Sequence, residues 1–285
     1  MSAQSAQPGQ WAARHSPLAE FWLRVHTEER PSEDALGEPI KPPDPLMEAV
    51  YWETLSAYFR SEAEPFTFEW YLALEQARYG RHAQWLADFL GFHRHRGETV
   101  LFLGRTLGTN GIQFARHGAK VIVSHSVWAD LEWARRNFAL RGLAASFIHS
   151  QPNRLPLAGS SVDVAVLSQS LLEDGSLNDS VAEALRVLRP GGKLLAIFPA
   201  GRPRRWAWLR RGQELPVRRP ASLRLARELH AHCVQVRFKQ RHLRTRNLLW
   251  FVRWLPRSWL ERLVGDFLLC KGFKPITWGQ SRIAA

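Results

Sequence analysis

Cysteine is scarce: the 285 residues contain two, Cys233 and Cys270, too few for a disulfide framework and without the spacing of a metal site. Two buried thiols in a reducing cytoplasm are therefore expected. The first ten residues carry neither a basic start nor an apolar run, so no signal peptide is expected. No stretch reaches the ~18 uninterrupted apolar residues of a membrane span. There is also no zinc-ligand spacing, no nucleophile elbow and no phosphate-binding lysine loop.

What is present points to a folded chain. Hydrophobic residues make up 45%, with 13 Trp and 15 Phe, enough for a sizeable core. The net charge of +13 is unevenly placed. From Gly201 onward about twenty Lys and Arg face four acidic residues, whereas the first two hundred residues are slightly acidic. An excess of that size suits either a solvated basic face or an anionic partner, with an anionic membrane surface the leading candidate. Nucleic acid is not expected, because no recognition motif accompanies the charge.

Residues 1–47 consist of a polar tail, a short amphipathic helix at Ser16–Glu29 and a linker through Pro39, Pro42, Pro43 and Pro45. Residues 48–97 repeat apolar side chains at helical spacing, interrupted at Glu64-Pro65, and predict a helical cap. Between 98 and 200 short apolar runs alternate with amphipathic helices. Strands are expected at 99–103, 120–124, 145–149, 162–167 and 193–198, with helices at 110–117, 129–141 and 180–188. This pattern predicts an α/β fold, a doubly wound and mostly parallel sheet whose ligands sit beyond the carboxyl ends of the strands. Residues 201–285 add a helix at Ala221–His232, strands at 234–241 and 267–273, and a Trp/Arg-rich helical segment between those strands, 248–264.

Gly104-Arg105-Thr106-Leu107-Gly108 after the first strand, Leu155 to Asp163 before the fourth, and Leu188-Arg189-Pro190-Gly191-Gly192 before the fifth resemble class I S-adenosylmethionine-dependent methyltransferases of the type 11 kind. Tyr79-Gly80-Arg81-His82 and the run from Trp254 to Pro275 add to that likeness, which spans roughly residues 70 to 275. The resemblance implies a seven-stranded Rossmann-like sheet ending in an antiparallel hairpin, S-adenosylmethionine as cofactor, and a small or lipid-like methyl acceptor.

The resemblance also identifies departures. Family members carry carboxylates at three places where this chain has Phe102, His125 and Gln151. Gly104, Arg105, Thr106 and Gly108 match the glycine loop, with Thr106 in place of its middle glycine and Arg105 adding a cation near a sulfonium. His125 falls where an acid takes the ribose hydroxyls. On that placement His125→Asp is expected to tighten cofactor binding. Gln151 falls where an Asp accepts from the adenine amine. Ser126, Asn153 and Ser168, with stacking on Trp128, are expected to add contacts. No catalytic residue is assigned: Tyr71, Glu75, Tyr79, His82, His93 and His95 in or after the cap are expected to be structural, and Glu173-Asp174 follows the fourth strand. Three functions remain open from these residues: a methyltransferase, a non-catalytic scaffold bearing a basic surface, and a domain adapted to an anionic nucleotide.

Overall fold

The computed structural model describes residues 45–54, 59–80, 83–168, 171, 177–200, 231–241, 254, 256, 259–261 and 265–276. All lie in one compact unit, Ile40–Ala285. The expected helices at 16–29 and 221–232, most of the 248–264 segment, His82, and Glu173-Asp174 lie outside the described residues.

Seven strands form one sheet in the order β3-β2-β1-β4-β5-β7-β6. They are β1 (Thr99–Leu103), β2 (Lys120–His125), β3 (Ser146–His149), β4 (Val162–Leu167), β5 (Leu188–Pro199), β6 (Val234–Arg241) and β7 (Phe267–Phe273). The first five run parallel, and β7 is antiparallel to both β5 and β6. Strand order reverses between β1 and β4, so the crevice at their carboxyl ends is the expected ligand position for such a sheet.

The apolar runs are nearly continuous because both faces of the central strands are covered. Alternate residues go to opposite sides. Val100, Phe102, Val121, Val123, Val164, Val166, Leu195 and Ile197 enter one core. Leu101, Leu103, Ala165, Leu167, Leu194, Ala196 and Phe198 enter the other. β5 starts earlier than the pattern predicts, at Leu188, and its register against β4 shifts between Val162 and Val164. The reason is the Arg-Pro-Gly-Gly turn: Gly191 has φ 77° and donates to the Lys274 carbonyl, tying the turn to the end of β7.

Helices α1 (Pro45–Thr54), α2 (Phe68–Arg78) and α3 (Gln84–Leu90) make the cap. Thr67 caps α2 by accepting from the Trp70 amide, and left-handed Gly91 ends α3. Leu46, Ala49, Val50, Trp70, Tyr71 and Leu74 pack together with Leu107 of the loop after β1. The cap is thereby fastened to the crevice. Helices α4 (Thr109–Arg116), α5 (Trp128–Leu140) and α6 (Leu177–Val187) complete the described α-helices.

Candidate functional site

At the reversal point lies a cavity of about 30 Å³, lined by Glu53 and Arg78 from the cap, Phe102 to Thr106 of β1 and its loop, Asn110, Val166 to Ser168, and Ile197. That volume suits about two water molecules. Ligand pockets usually measure about 300–1,000 Å³.

Glu53 accounts for much of the difference. Its side chain leaves α1, is buried, and reaches the glycine loop. One carboxylate oxygen accepts from the Thr109 amide at 2.7 Å, and the other accepts from the Leu107 amide at 3.2 Å and lies 3.4 Å from Thr106 Oγ1. A buried carboxylate needs such donors, and the amino end of α4 supplies them together with its dipole. These are the amides that a loop of this type would otherwise offer a ligand. Arg78, also buried, donates to the Glu53 carbonyl and, through Nε, to Asn110 Oδ1 at 2.6 Å. Tyr79 donates its hydroxyl to the same oxygen at 2.7 Å. No sequence rule pointed to Glu53 or Arg78, because both act from the cap across more than twenty residues of chain.

The glycines have a packing reason independent of any ligand. A Cβ on Gly111 would come within 2.9 Å of the Phe138 ring, and one on Gly108 within 3.2 Å, with φ at Gly108 already 89°. Close approach of α4 to α5 therefore demands both residues.

Arg105 does not project a bare cation into the crevice. Its Nε donates to Asp130 Oδ2 at 2.8 Å, and Asp130 is 1% exposed. His125 faces the same oxygen through Nε2 at 3.4 Å, while its Nδ1 accepts from the Val127 amide at 2.8 Å. That acceptance puts the ring proton of a neutral His125 on Nε2, toward Asp130. A carboxylate is thus present near the end of β2, supplied by the first turn of α5 rather than by position 125. The neutralised Arg105 also removes the reason for expecting an anionic nucleotide. Asp130 Oδ1 makes no hydrogen bond among the described residues.

Of the residues chosen from sequence, Gly104, Arg105, Thr106 and Ser168 line the cavity. Gly108 sits in the same loop, its amide bonded to Thr106 Oγ1. His125 and Ser126 are not among the residues lining the cavity; the Ser126 carbonyl bonds His149. Gln151 and Asn153 are exposed on the loop after β3. Trp128 is 63% exposed and meets His149 edge-on. Phe102 is a core residue, its ring 5.7 Å from that of Phe114.

The cap side chains hold structure together. Glu75 binds Arg116 and Arg141, each at 2.6 Å, and accepts from Gln113. Tyr71 donates to the Trp133 carbonyl. Burial raises the pKa of both Tyr71 and Tyr79, so neither phenol supplies a base at neutral pH. His95 holds Glu98 at 2.6 Å and Lys193 at 3.1 Å, and His93 is exposed. Among the described residues no group of His, Cys, Asp or Glu could hold a metal ion, and no helix is long and apolar enough to cross a membrane.

Residues 100–192 match the family described as a methyltransferase domain. Over 99 residues the chain is 31% identical to a demethylmenaquinone methyltransferase of Clavibacter sepedonicus, an alignment covering 35% of this chain and 40% of that enzyme. The chain thus matches less than half the length of this relative. Among solved structures, the [4+2]-cyclase SpnF superposes with a TM-score of 0.53 at 17% identity, over 81% of this chain and 94% of that one. An S-adenosylmethionine-dependent methyltransferase from Aquifex aeolicus gives 0.51 at 15%, over 70% and 92%. At these identities the superpositions bear on fold alone, and a fold does not determine a reaction. The family match is thus to a methyltransferase domain, and the solved neighbours add the fold. Gly104, Thr106 and Ser168 line the crevice with donors that suit the S-adenosylmethionine expected from the sequence motifs, and Asp130 stands behind Arg105 as its ion-pair partner. The closed volume does not suit that cofactor while Glu53 stays on the loop amides.

Proposed function

From the match of residues 100–192 to a methyltransferase domain, we propose that this chain is an S-adenosylmethionine-dependent methyltransferase acting on a small, quinone-like acceptor, and that it loads its cofactor only when the cap withdraws Glu53. The observation that carries this reading is the crevice itself. It lies at the strand-order reversal, and Gly104, Arg105, Thr106 and Ser168 line it together. The acceptor class rests on the demethylmenaquinone methyltransferase relative.

When bound, S-adenosylmethionine supplies a methyl group on a sulfonium, open to in-line attack. The protein's part in such chemistry is mainly to position the reactants and exclude water. With Glu53 withdrawn, the Leu107 and Thr109 amides become donors for an anionic ligand group. Pairing with the buried Asp130 offsets the charge of Arg105, which would otherwise oppose a sulfonium. Phe102, Val166 and Ile197 give the crevice an apolar wall.

Glu53 also favours a second reading, a non-catalytic relative that has filled its own cofactor crevice and acts through its basic surface. Calorimetry with S-adenosylhomocysteine separates the two. Saturable binding at micromolar concentration, followed by methyl transfer from S-adenosylmethionine to a short-chain demethylmenaquinone, supports the enzyme. Absence of heat up to millimolar ligand, for the wild type and for Glu53→Gln alike, supports the scaffold.

A further inference from the structure

Independently of the crevice, the β6–β7 edge of the sheet places cations against one another. Arg237 of β6 stands directly opposite Lys271 of β7, and Lys239 stands opposite Leu269. Paired residues share a face, and period-two alternation puts Arg237, Lys239 and Arg241 on the same side as Lys271. On β7's other flank Lys271 pairs with Leu195, so Lys193, two residues earlier on β5, lies on that side as well. Burial disfavours the charged forms of both Lys193 and Lys271, and Arg94, just before β1, adds to that.

Like charges directly opposite in neighbouring strands are destabilising. Among the described residues no acid offsets Lys271. It is half-buried, its ammonium lies 5.1 Å from the Phe273 ring centroid, and the described charges that act on it, Arg237, Arg94 and Lys239, are all cations. Lys193 contacts His95, which holds Glu98. Charged residues on an edge strand commonly prevent sheets from pairing edge to edge. That accounts for Arg237 and Lys239 on β6 but not for Lys271 and Lys193, which belong to interior strands.

Apolar side chains stand at both ends of the cationic row. Arg241 pairs with Glu261 at 2.9 Å, and Glu261 follows Trp259, which is 64% exposed. Trp254 nearby in the chain is 87% exposed. At the opposite end Val234 and Ile276 are exposed. Arg237 to Arg241 spans about 13 Å of extended strand. Cations flanked by exposed indoles suit the headgroup layer of an anionic bilayer, where basic side chains meet phosphates and indole rings settle at the interface.

We propose that the β6–β7 edge, through Arg237, Lys239, Lys271 and the exposed Trp259 beside the Arg241–Glu261 pair, docks the protein on an anionic phospholipid surface. The inference stands whether or not the crevice binds a cofactor.

The test is co-sedimentation of the full chain, without cofactor or acceptor, with vesicles of phosphatidylglycerol and phosphatidylcholine or of phosphatidylcholine alone. Binding is expected to the anionic vesicles only and to weaken with salt. The Arg237→Gln/Lys239→Gln/Lys271→Gln variant is expected to bind about a hundredfold more weakly, about fivefold per charge removed. Lys271→Gln alone, which relieves repulsion, is expected to bind about fivefold more weakly while unfolding at the same or a higher temperature. This single variant keeps the test decisive if the triple one does not fold. Equal binding of wild type and both variants would overturn the proposal, as would equal binding to both kinds of vesicle or to neither. So would capture by a single-stranded RNA oligonucleotide that anionic vesicles cannot displace.

Discussion

Replacing Glu53 by Gln keeps the side chain's shape and removes its charge. In the native protein the carboxylate accepts from the Thr109 amide at 2.7 Å and from the Leu107 amide at 3.2 Å, at the amino end of α4. A carboxamide has one acceptor oxygen, so one of these bonds is lost and the other becomes neutral. Bonds to a charged acceptor contribute about 1.5–3 kcal/mol and neutral ones about 0.5–1.5 kcal/mol. The helix-dipole interaction lost with the charge adds about 0.5 kcal/mol. The closed crevice should therefore lose about 3 kcal/mol relative to an open one. A ligand that binds only the open form gains affinity in proportion to the population released. Calorimetry with S-adenosylhomocysteine should show Glu53→Gln binding at least tenfold, and up to about a hundredfold, more tightly than wild type. The same variant should unfold at lower temperature, because the cap loses an anchor. Equal or weaker binding by a folded Glu53→Gln protein would refute the reasoning, and weaker binding would mean that Glu53 holds the ligand.

Three further outcomes follow from the described contacts. His125→Asp would set a second buried carboxylate beside Asp130, which His125 now faces at 3.4 Å. It should destabilise the protein by about 2–4 kcal/mol in urea unfolding near pH 7, and less near pH 5, because a carboxyl with raised pKa folds more readily when protonated; tighter cofactor binding without loss of stability would contradict this. Burial pushes the Cys233 thiol up to about 11 and the Cys270 thiol up to about 12, so both should react slowly with iodoacetamide at pH 8 in the native protein and rapidly after unfolding. Burial lowers the pKa of His95 below its ordinary value of about 6.5, so the unfolded chain takes up a proton there before the folded one does. Its contribution to stability is therefore present above about pH 6.5 and lost as pH falls toward the depressed folded value, and His95→Gln should flatten the urea midpoint over that window.

The fold was legible because it rests on local pattern. The central strands are nearly unbroken apolar runs since both their faces are covered, and β1 and β4 occupy the expected 99–103 and 162–167. The glycine loop was legible as a tight turn. Its meaning was not, because Gly108 and Gly111 answer to the Phe138 ring, a contact made across some thirty residues.

The candidate site divides in the same way. Gly104, Arg105, Thr106 and Ser168 could be chosen from sequence because the ends of β1 and β4 meet wherever a doubly wound sheet reverses. Counting along strands against the family pattern put Phe102, His125 and Gln151 where acids are expected. It could not show that Asp130, five residues beyond His125, places a carboxylate beside it, or that Glu53 brings another from the cap. Apolar periodicity sets which face of an element is buried, so the sequence by itself determined the elements and the layers. Where a charge finds its partner depends on the distance between elements far apart in the chain, and only packing of the cap and α5 onto the sheet decided that.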